Sequence, residues 1–262
     1  MVKSTPRLYE VDPYKHSFKA RIVNAIGRGV YRAAIILNET YFLPGGCGQR
    51  CDKGIIASPN GRLIVDEVYS EKGIIYHVGK FEGRMFPGDH VDCRIFWPRR
   101  EGTLRVNTGG ILIYVALKNI LGDTISFDKI IIDGDYRGRL SIKGVVGKNV
   151  IREIEHYVNK FIEEKMEIKT STISRLDEGL ERGLSKRDIE SFVEYFTHRF
   201  KIKPSDLRSI EISGTIIPQY VITFKNSGEV GRINITNIKK RLFSRDTIIS
   251  YTLKPTVVTH SK

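Results

Sequence analysis

Cysteine is scarce in this chain of 262 residues, and the three present, Cys47, Cys51 and Cys93, are an odd number. An odd count argues against the disulfide framework of a small secreted domain. Long apolar runs are missing too: stretches such as 110–117 fall well short of the roughly 20 residues a helix needs to cross a bilayer. Residues 1–12 hold no apolar segment of the kind a secretory leader requires. These absences predict a cytoplasmic protein with no membrane partner. Several enzyme signatures are lacking as well. There is no Gly-x-Ser-x-Gly elbow, no P-loop and no dinucleotide fingerprint, since Gly27–Arg28–Gly29 is too short to count.

Negative charge is the remaining shortage. The 30 Asp and Glu residues face 43 Lys and Arg, a formal net charge of +13, and the excess is unevenly placed. Residues 1–98 carry 14 basic and 10 acidic groups, 99–200 carry 18 and 16, and 201–262 carry 11 and 4. Over half of the excess therefore lies in the last segment. A basic patch concentrates polyanions and gains from counterion release on meeting phosphate, so the clustering predicts a nucleic-acid partner. The plainer alternative is a solvated surface with no partner.

What is present reads as two regions. Residues 19–24, 30–37, 61–68, 73–78 and 89–96 are short segments of β-branched and aromatic residues, separated by turn signals such as Pro59–Asn60–Gly61 and Pro87–Gly88–Asp89. Many short strands with tight turns predict a small β-barrel over 1–98. The remainder, 99–262, mixes helices and strands. A buried helix is expected over 109–121 and an amphipathic one over 150–166. Ser185 and Asp188 form a capping box for a further helix with Ile189, Phe192, Val193 and Phe196 on its apolar face. Strands are expected at 129–133, 139–142, 209–213, 220–224, 232–239 and 248–253. The fold class is α+β: the barrel, then an antiparallel sheet with helices on one face.

Three stretches, in order, resemble the alanyl-tRNA editing proteins. Leu37–Asn38–Glu39–Thr40–Tyr41–Phe42–Leu43–Pro44–Gly45–Gly46–Cys47–Gly48–Gln49, followed by Asp52 and Gly54, is similar to that family's glycine-rich loop. Arg99–Arg100 through Arg105–Val106–Asn107–Thr108 stands where a His-x-x-x-His motif begins. Lys225–Asn226–Ser227–Gly228–Glu229–Val230–Gly231 resembles the segment that follows a Cys-x-x-x-His motif. The resemblance implies a barrel fused to an α+β editing domain, and hydrolysis of serine or glycine wrongly attached to alanine tRNA. It also implies a zinc ion held by two His on one helix and by a later Cys and His.

The chain departs from that pattern where the chemistry should be. The matching positions are Asn107, Ile111, Gln219 and Thr223, and zinc needs thiolate, imidazole or carboxylate at tetrahedral positions. The inherited site is expected to be lost, with no cofactor implied. Cys47, Cys51, His90 and Cys93 leave open a different metal or a short-range disulfide, although the C-x-x-x-C spacing fits no ribbon or finger. Thr40, Gln49, Asn107, Thr108 and Thr223 remain as a residual pocket of hydroxyls and amides that could orient water, or as leftover scaffold. Binding falls to charge and shape. Arg99, Arg100 and Arg105 form one basic group, with pairing of Arg99 and Arg100 to acids as the alternative. Lys225, Arg232, Lys239, Lys240, Arg241 and Arg245, interleaved with Phe243 and Tyr251, form the other. The expected function is a non-catalytic RNA-binding protein of the translation apparatus, holding tRNA or ribosomal RNA and associated with the ribosome. The alternatives are a deacylase working without the usual zinc, and a protein-interaction subunit of an editing complex.

Overall fold

The computed structural model describes residues 4–29, 31–173, 175–204, 206–241 and 246–254. The chain divides into two compact units. One comprises the residues up to Glu101 together with Phe196–Lys203, and the other Gly102–Tyr195 with the residues from Pro204 onward. The cut after Glu101 lies a few residues past the composition shift. The return of Phe196–Lys203 to the first unit has no counterpart in composition.

The first unit is a closed antiparallel barrel of β1 (Ser17–Gly27), β2 (Arg32–Leu37), β3 (Gly54–Ser58), β4 (Gly61–Glu71), β5 (Ile74–Gly83) and β6 (His90–Ile95), in the order β1-β2-β5-β4-β3-β6. Alternation turns Ile56, Leu63, Val65, Val78, Val91 and Ile95 inward, each nearly free of solvent contact. Pairing of β1 with β6, Ser17 opposite Arg94 and Arg21 opposite His90, closes the ring and leaves no open edge. Strand β3 was not expected. Gly-Ile-Ile-Ala-Ser is short and lacks alternation, and the segment is extended because β4 and β6 flank it.

Helix α1 (Trp97–Leu121) begins well before the expected 109. Pro98 in its first turn is harmless, because the amide it lacks would have no helical partner there. Apart from Arg105, every residue over 102–117 is buried. The chain continues with β7 (Ser126–Gly134), β8 (Arg137–Lys143), α2 (Ile151–Glu163), β9 (Lys169–Ile173), α3 (Leu176–Glu181), α4 (Lys186–Phe200), β10 (Leu207–Ile212), β11 (Thr215–Pro218), β12 (Arg232–Lys240) and β13 (Asp246–Lys254), all in the second unit except α4 from Phe196 on. These strands make two antiparallel sheets, β12-β13-β8-β7 and β11-β10-β9, where the sequence suggested one. Together with the barrel and helices this is an α+β fold.

Glycine lets α1 lie against the four-stranded sheet. A Cβ on Gly110 would stand 2.6 Å from Ile130 Cδ1 and 2.7 Å from Tyr251 Oη, and one on Gly138 would stand 2.6 Å from the same hydroxyl. In the space so made, Tyr251 Oη donates to Val106 O at 2.8 Å. The residues 220–224, expected as a strand, are irregular yet buried throughout. Phe224 N is satisfied by Thr108 Oγ1 at 2.9 Å rather than by a neighbouring strand.

Candidate functional site

The glycine-rich loop is a tight turn. Gly46 N donates to Gln49 O at 3.1 Å and Gln49 N to Gly46 O at 3.0 Å, with φ of 50° at Cys47 and 85° at Gly48. Positive φ at both central residues is the geometry of a type I′ turn. Gln49 is buried in it. Thr40, upstream, does not face an opening. It is fully buried; its hydroxyl lies 2.9 Å from His77 Nε2 and accepts from Phe42 N at 3.0 Å. His77 Nδ1 lies 3.0 Å from Ile35 O. Burial lowers the His77 pKa to about 4, against a weaker opposing effect of the Ile35 carbonyl. The imidazole is therefore neutral at pH 7. Its role was invisible in the sequence, where His77 is one more residue on a strand.

Arg100 takes the alternative given for it, pairing with an acid. It is fully buried and ion-paired with Asp52, also buried, through Nε to Oδ1 at 3.2 Å and through Nη2 to Oδ2. Its other donors reach Pro13 O at 2.8 Å and Tyr41 O. All three of its nitrogens are engaged inside the first unit, and none faces solvent. Arg99, half-buried, donates from Nε to Cys51 O at 2.7 Å.

In the second unit, Thr108 Oγ1 donates to Leu104 O at 2.7 Å while accepting from Phe224 N, so this hydroxyl ties α1 to 219–226. That tie brings the 107–111 and 219–223 motifs side by side, with Asn107, Ile111 and Thr223 buried. Gln219 turns to Arg208, whose Nε donates to its Oε1 at 2.9 Å. These four side chains do not fit a zinc ion. Ile111 has no donor atom, Gln219 is engaged elsewhere, and two amides with a hydroxyl are not the thiolate, imidazole or carboxylate ligands zinc takes. Among the described residues no group of three or more His, Cys, Asp or Glu is arranged to hold a metal. Cys47, Cys51 and Cys93 form no disulfide. Burial, helped by Asp92, pushes the Cys93 thiol far above its usual range, which suits neither a ligand nor a nucleophile. His90 is exposed.

The expected basic residues divide by exposure. Arg105 donates to Glu229 O at 2.6 Å and Val230 O at 3.1 Å, with its guanidinium over Phe224 and Tyr136, so it holds the 227–230 turn. Lys225, Arg232, Lys239, Lys240 and Arg241 are exposed, and Arg241 reaches Asp246 at 3.6 Å. Phe243 and Arg245 lie outside the described residues. Tyr251 is 1% exposed with its hydroxyl bonded within the unit, so it offers no face to a base. One cluster had no functional forecast beyond the cap. Asp188 accepts from Tyr114 Oη at 2.6 Å, from Lys118 Nζ at 2.9 Å and from Ser185 Oγ at 2.8 Å, while Asp188 N donates to Ser185 Oγ. Ser185 thus caps the helix as expected, while the Asp188 carboxylate meets its hydroxyl rather than its backbone amide and is a buried polar hub whose partner Tyr114 packs on Phe127 and Tyr220.

The comparisons define first a class. Residues 15–99 match the family described as tRNA synthetases class II (A). Over 245 residues the chain is 29% identical to the alanine–tRNA ligase of Ignicoccus hospitalis, covering 90% of this chain and 24% of the ligase. Over 238 residues it is 27% identical to the alanyl-tRNA editing protein AlaX-L of Pyrococcus horikoshii, covering 90% of this chain and 55% of that protein. The alanine–tRNA ligase of Sulfurisphaera tokodaii is 28% identical over 243 residues, again 90% of this chain and 25% of the ligase. The chain thus spans about a quarter of the ligases and about half of the editing protein. These similarities support an alanyl-tRNA editing-like family. Among the described residues no helix is long and apolar enough to cross a membrane.

Proposed function

We propose that this chain is a non-catalytic RNA-binding protein of the translation apparatus, an editing-like protein that holds tRNA or ribosomal RNA without cleaving an ester. The observation that carries the reading is the donor set at the family's zinc positions. Without a metal, a deacylase loses the Lewis acid and the activated water that supply several kcal/mol of transition-state stabilisation. No side chain brought together at 107–111 and 219–223 is an acid or base that could replace them. The names of the relatives, a ligase and an editing protein for alanine tRNA, support tRNA as the partner class. The exposed cations Arg232, Lys239, Lys240 and Arg241 support contact with its phosphates.

The test is deacylation of mischarged alanine tRNA by the purified chain, with and without EDTA, beside filter binding of the same tRNA. Binding without turnover is expected, and EDTA should change neither result. Steady turnover would overturn the reading. Ribosome association is tested separately, by sedimentation with ribosomes after a salt wash.

A further inference from the structure

The barrel carries a groove of about 830 Å³ beside β1, β3 and β6, formed wholly within the first unit. Strand register assembles its wall. Ser17 stands opposite Arg94 and Arg94 opposite Ile55, while Lys19 stands opposite Asp92 and Asp92 opposite Ala57. Three cations, Lys15, Lys19 and Arg94, are exposed around it. None of the three takes part in an ion pair among the described residues. Two aromatic rings, Phe18 and Tyr41, are half-exposed in it with centroids 5.1 Å apart. Phe18 is backed by Phe42, 5.9 Å away, and Tyr41 is anchored through its carbonyl to the buried Arg100. The platform is therefore held in place before any ligand arrives.

We infer that this groove binds a single-stranded RNA segment, an inference that rests on the RNA-binding reading and assigns a site to it. Unpaired cations that track a backbone, beside rings on which bases stack, are the two components of sequence-tolerant single-strand binding. Two carboxylates, Glu39 and Asp92, also line the groove. They repel a bare phosphate, but they accept hydrogen bonds from base amino groups and from ribose 2′-hydroxyls, which favours a nucleotide chain over an inorganic anion. Thr40, between the two groove residues Glu39 and Tyr41, points the other way, to His77. One stretch of the glycine-rich motif thus serves the core with its middle residue and the groove with its flanks.

The experiment titrates the full chain against a short fluorescein-labelled oligouridylate by fluorescence polarisation, with inorganic tripolyphosphate as competitor and whole tRNA in parallel. Lys19→Glu combined with Arg94→Glu should weaken oligouridylate binding at least tenfold. It should also flatten the salt dependence by about 1.4, at roughly 0.7 for each lost phosphate contact. Tripolyphosphate should compete poorly. Lys15→Glu, checked with the double variant for an unchanged circular-dichroism melt, gives a second reading should the pair fail to fold. Wild-type affinity retained in the folded variants would overturn the groove while leaving RNA binding by the chain intact. Full competition by tripolyphosphate would reduce it to an anion site and overturn it as a nucleotide site. No oligouridylate binding by the wild type would also overturn it, and the tRNA titration then shows whether the broader reading falls too.

Discussion

At the residue scale, two buried polar groups carry measurable consequences. His77 has its pKa lowered to about 4 in the fold, against an unfolded value near 6.5. Between those values the unfolded chain binds a proton that the folded chain refuses. Stability is thus full above pH 6.5 and declines as pH falls toward 4, by up to about 1.4 kcal/mol per unit. Urea denaturation across that window should show the slope, and His77→Leu should remove most of it while costing stability at neutral pH through the stranded Thr40 hydroxyl. Arg100→Leu leaves Asp52 as an uncompensated buried charge. The expected cost is about 3–5 kcal/mol, read as a lower denaturation midpoint.

At the element scale, the second unit meets its open edge with side chains. β12 is terminal in its sheet, and α2 covers part of it. Asn159 Nδ2 donates to Ile233 O and Ile233 N donates to Asn159 Oδ1, both at 2.9 Å, while Ile235 N donates to Glu155 Oε1. An uncovered edge invites pairing with another chain. Asn159→Ala should cost about 1–3 kcal/mol by stranding both backbone groups, and light scattering should detect added self-association. The contact of α1 with β7 and β13 depends on bare backbone at Gly110. Gly110→Ala drives a methyl group into Ile130 and Tyr251, and about 1–3 kcal/mol of overpacking should appear in thermal melts.

At the scale of the whole molecule, charge and site chemistry point the same way. A net +13 with exposed lysines on β12 predicts tRNA affinity that falls steeply with salt. Lys239→Glu with Lys240→Glu should weaken tRNA binding and reduce the slope of log affinity against log salt by about two. Filter binding across a salt series checks this, and the slope separates phosphate contact from a general loss of fold.

Much of this was legible in residues. β-branched and aromatic residues at strand length in 61–68 and 89–96, turn glycines, the Ser185 cap and the motif order carried the barrel, the α+β class and the family resemblance, because local conformation is written in neighbouring side chains. The donor set at 107, 111, 219 and 223 was also legible, since an isoleucine has no ligand atom in any fold. Tertiary structure alone decided which partner each strand took, which is why β3 and the division into two sheets were missed. It also decided how Arg100, Thr40 and Tyr251 spend their polar atoms. A basic or aromatic residue reads the same in sequence whether it meets solvent or a buried carboxylate. Only the long-range pairing of Arg100 with Asp52, Thr40 with His77 and Tyr251 with Val106 distinguishes the two.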